Sequence, residues 1–157
     1  MNMKKKVLPY LVFPALSLLV GSVSALLTGE NMMLYQTVEK PALAPPALLF
    51  PIVWTVLYLL MGVSAAMVYN AAGQYRRKGL LLFFAQLAVN FFWSILFFNF
   101  RAFLVAFLWL VLLWALAAAM LAAFFKTQRL AGLLQVPYLL WLTFAAYLNF
   151  SVYLLNS

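Results

Sequence analysis

The chain has 157 residues, 69% of them hydrophobic and only 8% charged, with a net charge of +8. This composition leaves too little polar surface for a water-soluble domain of this size. The charges border apolar runs instead of interleaving with exposed aromatics, so they point to membrane topology and anionic-lipid contact and away from nucleic acid.

Five apolar runs follow in chain order, at about 7–27, 47–71, 79–99, 103–125 and 130–154. Each is long enough to cross a hydrocarbon core about 30 Å thick. The runs predict an all-α membrane protein, a bundle of five transmembrane helices in a single domain over 1–157. The first run ends near Ser22, Val23, Ser24 and Ala25, small residues of the kind found at signal-peptide cleavage sites. It extends over about 21 residues, however, and holds Pro9 and Pro14, so it is expected to stay as the first span. If each run crosses once, Lys4–Lys6, Arg76–Lys78 and Lys126 with Arg129 share one side. The other side receives Lys40, Arg101, Glu30 and Glu39. Eight of ten cations on one side place the N-terminus inside and the C-terminus outside by the positive-inside rule. A bacterial cytoplasmic membrane is the expected location.

The segment between the first two runs, 28–46, carries three of the seven prolines and both carboxylates. Pro41, Pro45 and Pro46 prevent a regular helix. Tyr35, Val38, Leu43, Leu48 and Leu49 offer an apolar underside, so the segment is expected to lie over the bundle mouth as a lid. Small residues recur at packing distance, with Gly21 and Ala25 on one span and Ala115, Ala119 and Ala123 on another. They suit close helix approach within the bundle or a homodimer seam.

The spans hold no Asp, Glu, His, Lys or Arg, and the chain has no histidine or cysteine at all. A catalytic triad, an acid–base pair, a zinc site and a disulfide are thereby excluded. A proton-coupled pump usually needs an intramembrane carboxylate or histidine, so it too is disfavoured. The spans instead carry aromatics and neutral amides. Gln86, Asn90 and Ser94 recur every four residues and share one helix face, which should point inward because a buried amide in hydrocarbon needs a partner. Trp54 and Tyr58 are also four apart, and Tyr138, Trp141, Ala145 and Asn149 follow a 3-4-4 pattern. These faces either line an aromatic-walled pocket for a large, flat, apolar ligand or are interhelical glue and interface anchors. Trp109 and Trp114 sit among alanines and are assigned to packing or lipid contact.

Several motifs together resemble one family. Tyr35-x-x-Val38-x-Lys40-Pro41-x-x-x-Pro45-Pro46, followed by Phe50-Pro51-x-Val53-Trp54-x-x-Leu57-Tyr58, is similar to the first loop and second helix of the TspO/MBR proteins. Gln86-Leu87-x-x-Asn90-x-x-Trp93-Ser94 and Val136-Pro137-Tyr138-Leu139-Leu140-Trp141 extend the likeness, in order, over nearly the whole chain. The resemblance implies a five-helix bundle, a homodimer, and a pocket below the first loop that takes porphyrins and other hydrophobic ligands. Carried over residue by residue, its ligand-binding set is Tyr35, Trp54, Tyr58, Asn90, Tyr138, Trp141, Ala145 and Leu148. Leu34 and Leu43 stand where the family usually has tryptophan, and no Lys or Arg follows Tyr153 to complete a sterol-recognition pattern.

The expected function is therefore binding of porphyrin-type tetrapyrroles and other hydrophobic small molecules within a lipid bilayer, in tetrapyrrole homeostasis or stress sensing. Aromatic walls would stack on the ring while Lys40 or loop amides meet its carboxylates. No cofactor or metal is required; protoporphyrin is the expected ligand, and metal-free porphyrin is favoured over haem because His and Cys are lacking. The alternatives are light-dependent porphyrin degradation, with Trp54 and Trp141 as the catalytic residues, and passive transport of the same ligands. Light-dependent product formation distinguishes the first, and flux into proteoliposomes the second.

Overall fold

The computed structural model describes residues 2–157. Helix α1 runs Met3–Thr28, and a 3-10 turn, Gly29–Asn31, leads into the short α2, Leu34–Thr37. Helices α3, Leu49–Asn70, and α4, Arg76–Ser94, follow. The latter continues as a π-helical turn, Ile95–Asn99. Next come α5, Phe103–Thr127, the short α6, Arg129–Leu133, and α7, Val136–Leu155. Five helical stretches are long and apolar enough to cross a membrane, so the expected all-helical membrane class is met. The fifth is not continuous. It breaks at Leu134 and Gln135, immediately before Pro137 at the start of α7, where proline's missing N–H costs nothing.

Around the bundle, α1 packs against α3 and α4, α4 against α5, and α5 against α7; contact between α7 and α3 is slight. The cation clusters meet at one end. The Asn70 side chain donates to the Lys6 carbonyl at 2.8 Å, and the Lys126 ammonium lies 4.9 Å from the centre of the Tyr75 ring. The core fills the half nearer that end, where Met61, Ala65, Val68, Phe83, Met120, Phe124 and Leu142 have no exposed surface. Outward side chains such as Leu11, Leu26, Leu81, Leu108 and Leu140 are exposed, as a lipid-facing surface requires.

Two glycines allow the helices to come this close. A Cβ on Gly62 would collide with the Pro14 backbone, and one on Gly132 with the Phe125 backbone. Pro14 is thus accommodated inside α1 by a neighbour with no side chain. Gly21 faces the Tyr58 ring, so this small residue serves packing within the bundle. The alanine stripe divides, with Ala123 buried while Ala115 and Ala119 face outward.

Candidate ligand cavity

The inward face of α4 carries two amides, Gln86 and Asn90, 0% and 4% exposed. Their amides join three helices in one chain of hydrogen bonds. The Tyr58 hydroxyl donates to Asn90 Oδ1 at 3.2 Å, Asn90 Nδ2 donates to the Tyr138 hydroxyl at 2.8 Å, and that hydroxyl donates to Gln86 Oε1 at 2.7 Å. Gln86 Nε2 ends the chain on Met61 Sδ and the Phe83 carbonyl. Buried amides are thereby satisfied where lipid offers no partner.

Above this network the bundle is hollow. A cavity of about 340 Å³ opens there, within the ordinary range of about 300–1,000 Å³ for small-molecule sites. Asn90 and Tyr58 form its floor, and Trp54, Trp93, Phe97, Phe98, Ala145 and Leu148 its walls. Gly21, Ser24 and Thr28 line the α1 side. The π-helical turn belongs to the same wall, with the Phe100 N–H donating to the Ile95 carbonyl at 3.1 Å. Such turns re-aim side chains and recur at functional sites. One turn earlier, within α4, the Phe91 carbonyl accepts from the Ser24 hydroxyl of α1 at 3.0 Å.

Residues 29–47 pass across the mouth and contribute Met32, Met33, Tyr35, Gln36, Lys40, Pro41 and Ala44 to the cavity surface. The segment is tied to itself. The Tyr35 hydroxyl donates to the Pro45 carbonyl at 2.5 Å, and Lys40 Nζ donates to the Tyr35 carbonyl at 2.7 Å and that of Val38 at 3.3 Å. The ammonium also sits 4.9 Å from the centre of the Tyr35 ring. Partial burial raises the Tyr35 phenol above its ordinary pKa, so the bond to Pro45 keeps its proton across the neutral range. The expected underside holds for two of its five residues. Tyr35 lines the cavity and Val38 packs against the cluster of Phe97, Ala106 and Val152, but Leu43, Leu48 and Leu49 are 71%, 74% and 39% exposed. Leucines at the rim of a membrane bundle gain as much from facing the lipid boundary as from facing inward. Leu34, in contrast, is buried.

Six of the eight expected binding residues line this one cavity: Tyr35, Trp54, Tyr58, Asn90, Ala145 and Leu148. Tyr138 does not; it stands behind Asn90, 1% exposed, as part of the hydrogen-bond chain. Nor does Trp141. It lies in an apolar groove between α3 and α7 with Ile52, Val56, Leu60, Leu140 and Phe144. Its ring centre is 5.8 Å from that of Phe50, and its indole N–H is buried with no partner among the described residues. Three residues turn a helix about 300°, so Trp141 stands about 60° from Tyr138, at the edge of the inward face, and there it meets Ile52, Val56 and Leu60 of α3 in place of the cavity.

Trp93 and Phe97 were legible as cavity residues but were not singled out. They follow Asn90 by three and seven positions and so share its face. Trp93 Nε1 donates to Asn149 Oδ1 at 3.0 Å, and its ring stacks on Phe97 at 5.3 Å. Gly21, Ser24 and Thr28 likewise share a 3-4 spacing on α1. Trp109 and Trp114 donate to the Val89 carbonyl and the Thr143 hydroxyl, which accords with a packing role.

The family model for TspO/MBR matches residues 13–155. The "Tryptophan-rich protein TspO" of Chlorobaculum tepidum is 37% identical over 98% of this chain and 99% of its own length. "Protein CrtK" of Rhodobacter capsulatus is 41% identical over 78% of each chain. The human "Translocator protein" is 34% identical over 89% of this chain and 83% of its own. With five membrane-length apolar helices and a match that runs almost end to end, the chain belongs to the TspO/MBR family and is an integral, multi-pass membrane protein.

Proposed function

We propose that this protein binds flat, largely apolar ligands of the porphyrin class in the cavity under residues 29–47, in the service of tetrapyrrole homeostasis or stress sensing. The observation that carries this is the cavity's composition: aromatic walls from Trp54, Trp93 and Phe97, one amide in the floor at Asn90, and a polar rim at Gln36 and Lys40. Stacking holds the ring, the amide and the rim orient its polar groups, and one ammonium hydrogen of Lys40 beyond its two carbonyl bonds remains to meet a carboxylate. The cavity volume is at the low end of the usual range, so a whole tetrapyrrole enters only if the covering segment yields.

Protoporphyrin added to the detergent-solubilised protein should quench tryptophan fluorescence saturably, at one ligand per chain. Asn90→Leu strips the floor of its amide and leaves the Tyr58 hydroxyl without its acceptor. It should weaken binding by roughly 3- to 30-fold, from the worth of a lost buried hydrogen bond. A variant that is less stable but binds with unchanged affinity would assign the amide to helix packing alone.

The proposal includes orientation, with the cation-rich end in the cytoplasm and the cavity mouth outside. Single cysteines at positions 39 and 157 should react with an impermeant thiol reagent on intact cells, and cysteines at 4 and 76 only after the membrane is opened. The reverse pattern would invert the protein in the bilayer.

A further inference from the structure

Between Val38 and Pro46 the ends of the covering segment are bonded to the helices they adjoin, the Val38 N–H donating to the Leu34 carbonyl of α2 and the Leu49 N–H of α3 donating to the Pro46 carbonyl. Between those ends, among the described residues, one hydrogen-bonded attachment joins the segment to a spanning helix. It is made by Asn156, one residue beyond α7. Asn156 Oδ1 accepts from the Glu39 N–H at 3.0 Å, and Asn156 Nδ2 donates to the Glu39 carbonyl at 2.9 Å. The same Nδ2 donates to the Val152 carbonyl at 2.8 Å, which fixes the amide to the last turn of α7. Every other side-chain bond of the segment stays inside it, from Tyr35 to Pro45 and from Lys40 to Tyr35 and Val38. The Asn99 pair differs in kind. It joins Asn31, in the 3-10 turn directly after α1, and Leu27 on α1 itself, at 2.8 Å and 3.1 Å, well before the stretch that Asn156 holds.

We propose that Asn156 is a positioning residue whose amide clasps Glu39 and so sets the rate at which ligand enters and leaves the cavity. The inference rests on the cavity being the binding site. Glu39 directly precedes Lys40 and Pro41, which line the cavity. Holding its backbone from both sides keeps that part of the cover down. Pro41, Pro45 and Pro46 stiffen the stretch, so releasing one point frees several residues together. Trp54, Trp93, Phe97 and Asn90 stand on the helices, so what they offer a ligand does not depend on the clasp, and only the contribution of Lys40 and its neighbours does. The clasp therefore acts mainly on rates, and less on affinity.

The test compares the full-length wild type with Asn156→Ala and Asn156→Asp in the same detergent or nanodisc, with thermal unfolding as the control for fold. Asn156→Asp keeps the acceptor for the Glu39 N–H and loses the donor to its carbonyl. Hydrogen–deuterium exchange should accelerate roughly five- to tenfold at residues 38–44 in Asn156→Ala and less in Asn156→Asp, with the spans unchanged. In stopped-flow quenching by protoporphyrin, association and dissociation should both quicken by a similar factor, with Kd moving less than either rate. Unchanged exchange in both variants overturns the clasp. Faster exchange with unchanged ligand rates overturns its control of access. If the wild type binds no porphyrin, the proposed ligand class falls, and the exchange measurement still decides the clasp.

Discussion

Trp54→Ala should weaken protoporphyrin binding by about 5- to 150-fold, and Trp141→Ala by less than the bottom of that range. Stacking of one aromatic ring on a flat heterocycle is worth about 1–3 kcal/mol by alanine substitution. Trp54 is in a position to supply it. It lines the cavity, and its ring is 5.5 Å from Tyr58 and 6.3 Å from Tyr138. Trp141 lines the outer groove, and its ring meets that of Phe50, which lines the cavity, at 5.8 Å. Trp54→Phe keeps a π-face and should recover most of the affinity. Parallel titrations by tryptophan quenching, corrected for the lost fluorophore, provide the measurement. Equal losses at Trp54 and Trp141 would mean that the ligand spans the α3–α7 seam; no loss at Trp54 would remove the cavity as the porphyrin site.

The largest effect on stability is expected at Gly62. A methyl group there meets the Pro14 backbone, and backbone cannot rotate aside as a side chain can. Gly62→Ala should cost about 1–3 kcal/mol, the usual penalty for overpacking, and Gly62→Leu more, because α1 must separate from α3 along its length. Gly29→Ala is the control. Nothing lies within 4 Å of its Cβ position and its backbone is helical, so the change should be neutral or mildly stabilising. Thermal unfolding in detergent, followed by circular dichroism and size-exclusion profile, gives the comparison. A Gly62→Leu protein as stable as Gly29→Ala would show that α1 does not need this approach.

Hydropathy and charge were enough to place the five spans, because length and apolarity alone decide what crosses a bilayer. The breaks were harder to see. Pro137 marked the start of α7 but lay within a run that read as continuous, and Ile95–Asn99 contains no glycine or proline to announce a π turn. Periodicity put Gln86 and Asn90 on one inward face, where the structure has them. It could not say that Tyr138 would stand behind Asn90, because that depends on how α7 is rotated against α4. Trp141 shows the same limit. A stripe about 60° wide on one helix spans both the inside and the edge of a bundle, and only the neighbouring helix decides between them. The covering segment's bonds to Asn156 and Asn99 join residues 117 and 68 positions apart, beyond the reach of any local pattern.

The packed core and the hollow occupy opposite halves of the bundle, and this divides its mechanical response. Close-packed interiors resist compression, whereas a void can change volume when its walls shift. The half around Met61, Phe83 and Phe124 acts as a stiff base, with the compliant half beneath the covering segment. Lateral pressure from the surrounding lipid therefore acts chiefly on the cavity end. A bilayer that is squeezed or thinned should change the shape of the cavity before it disturbs the base.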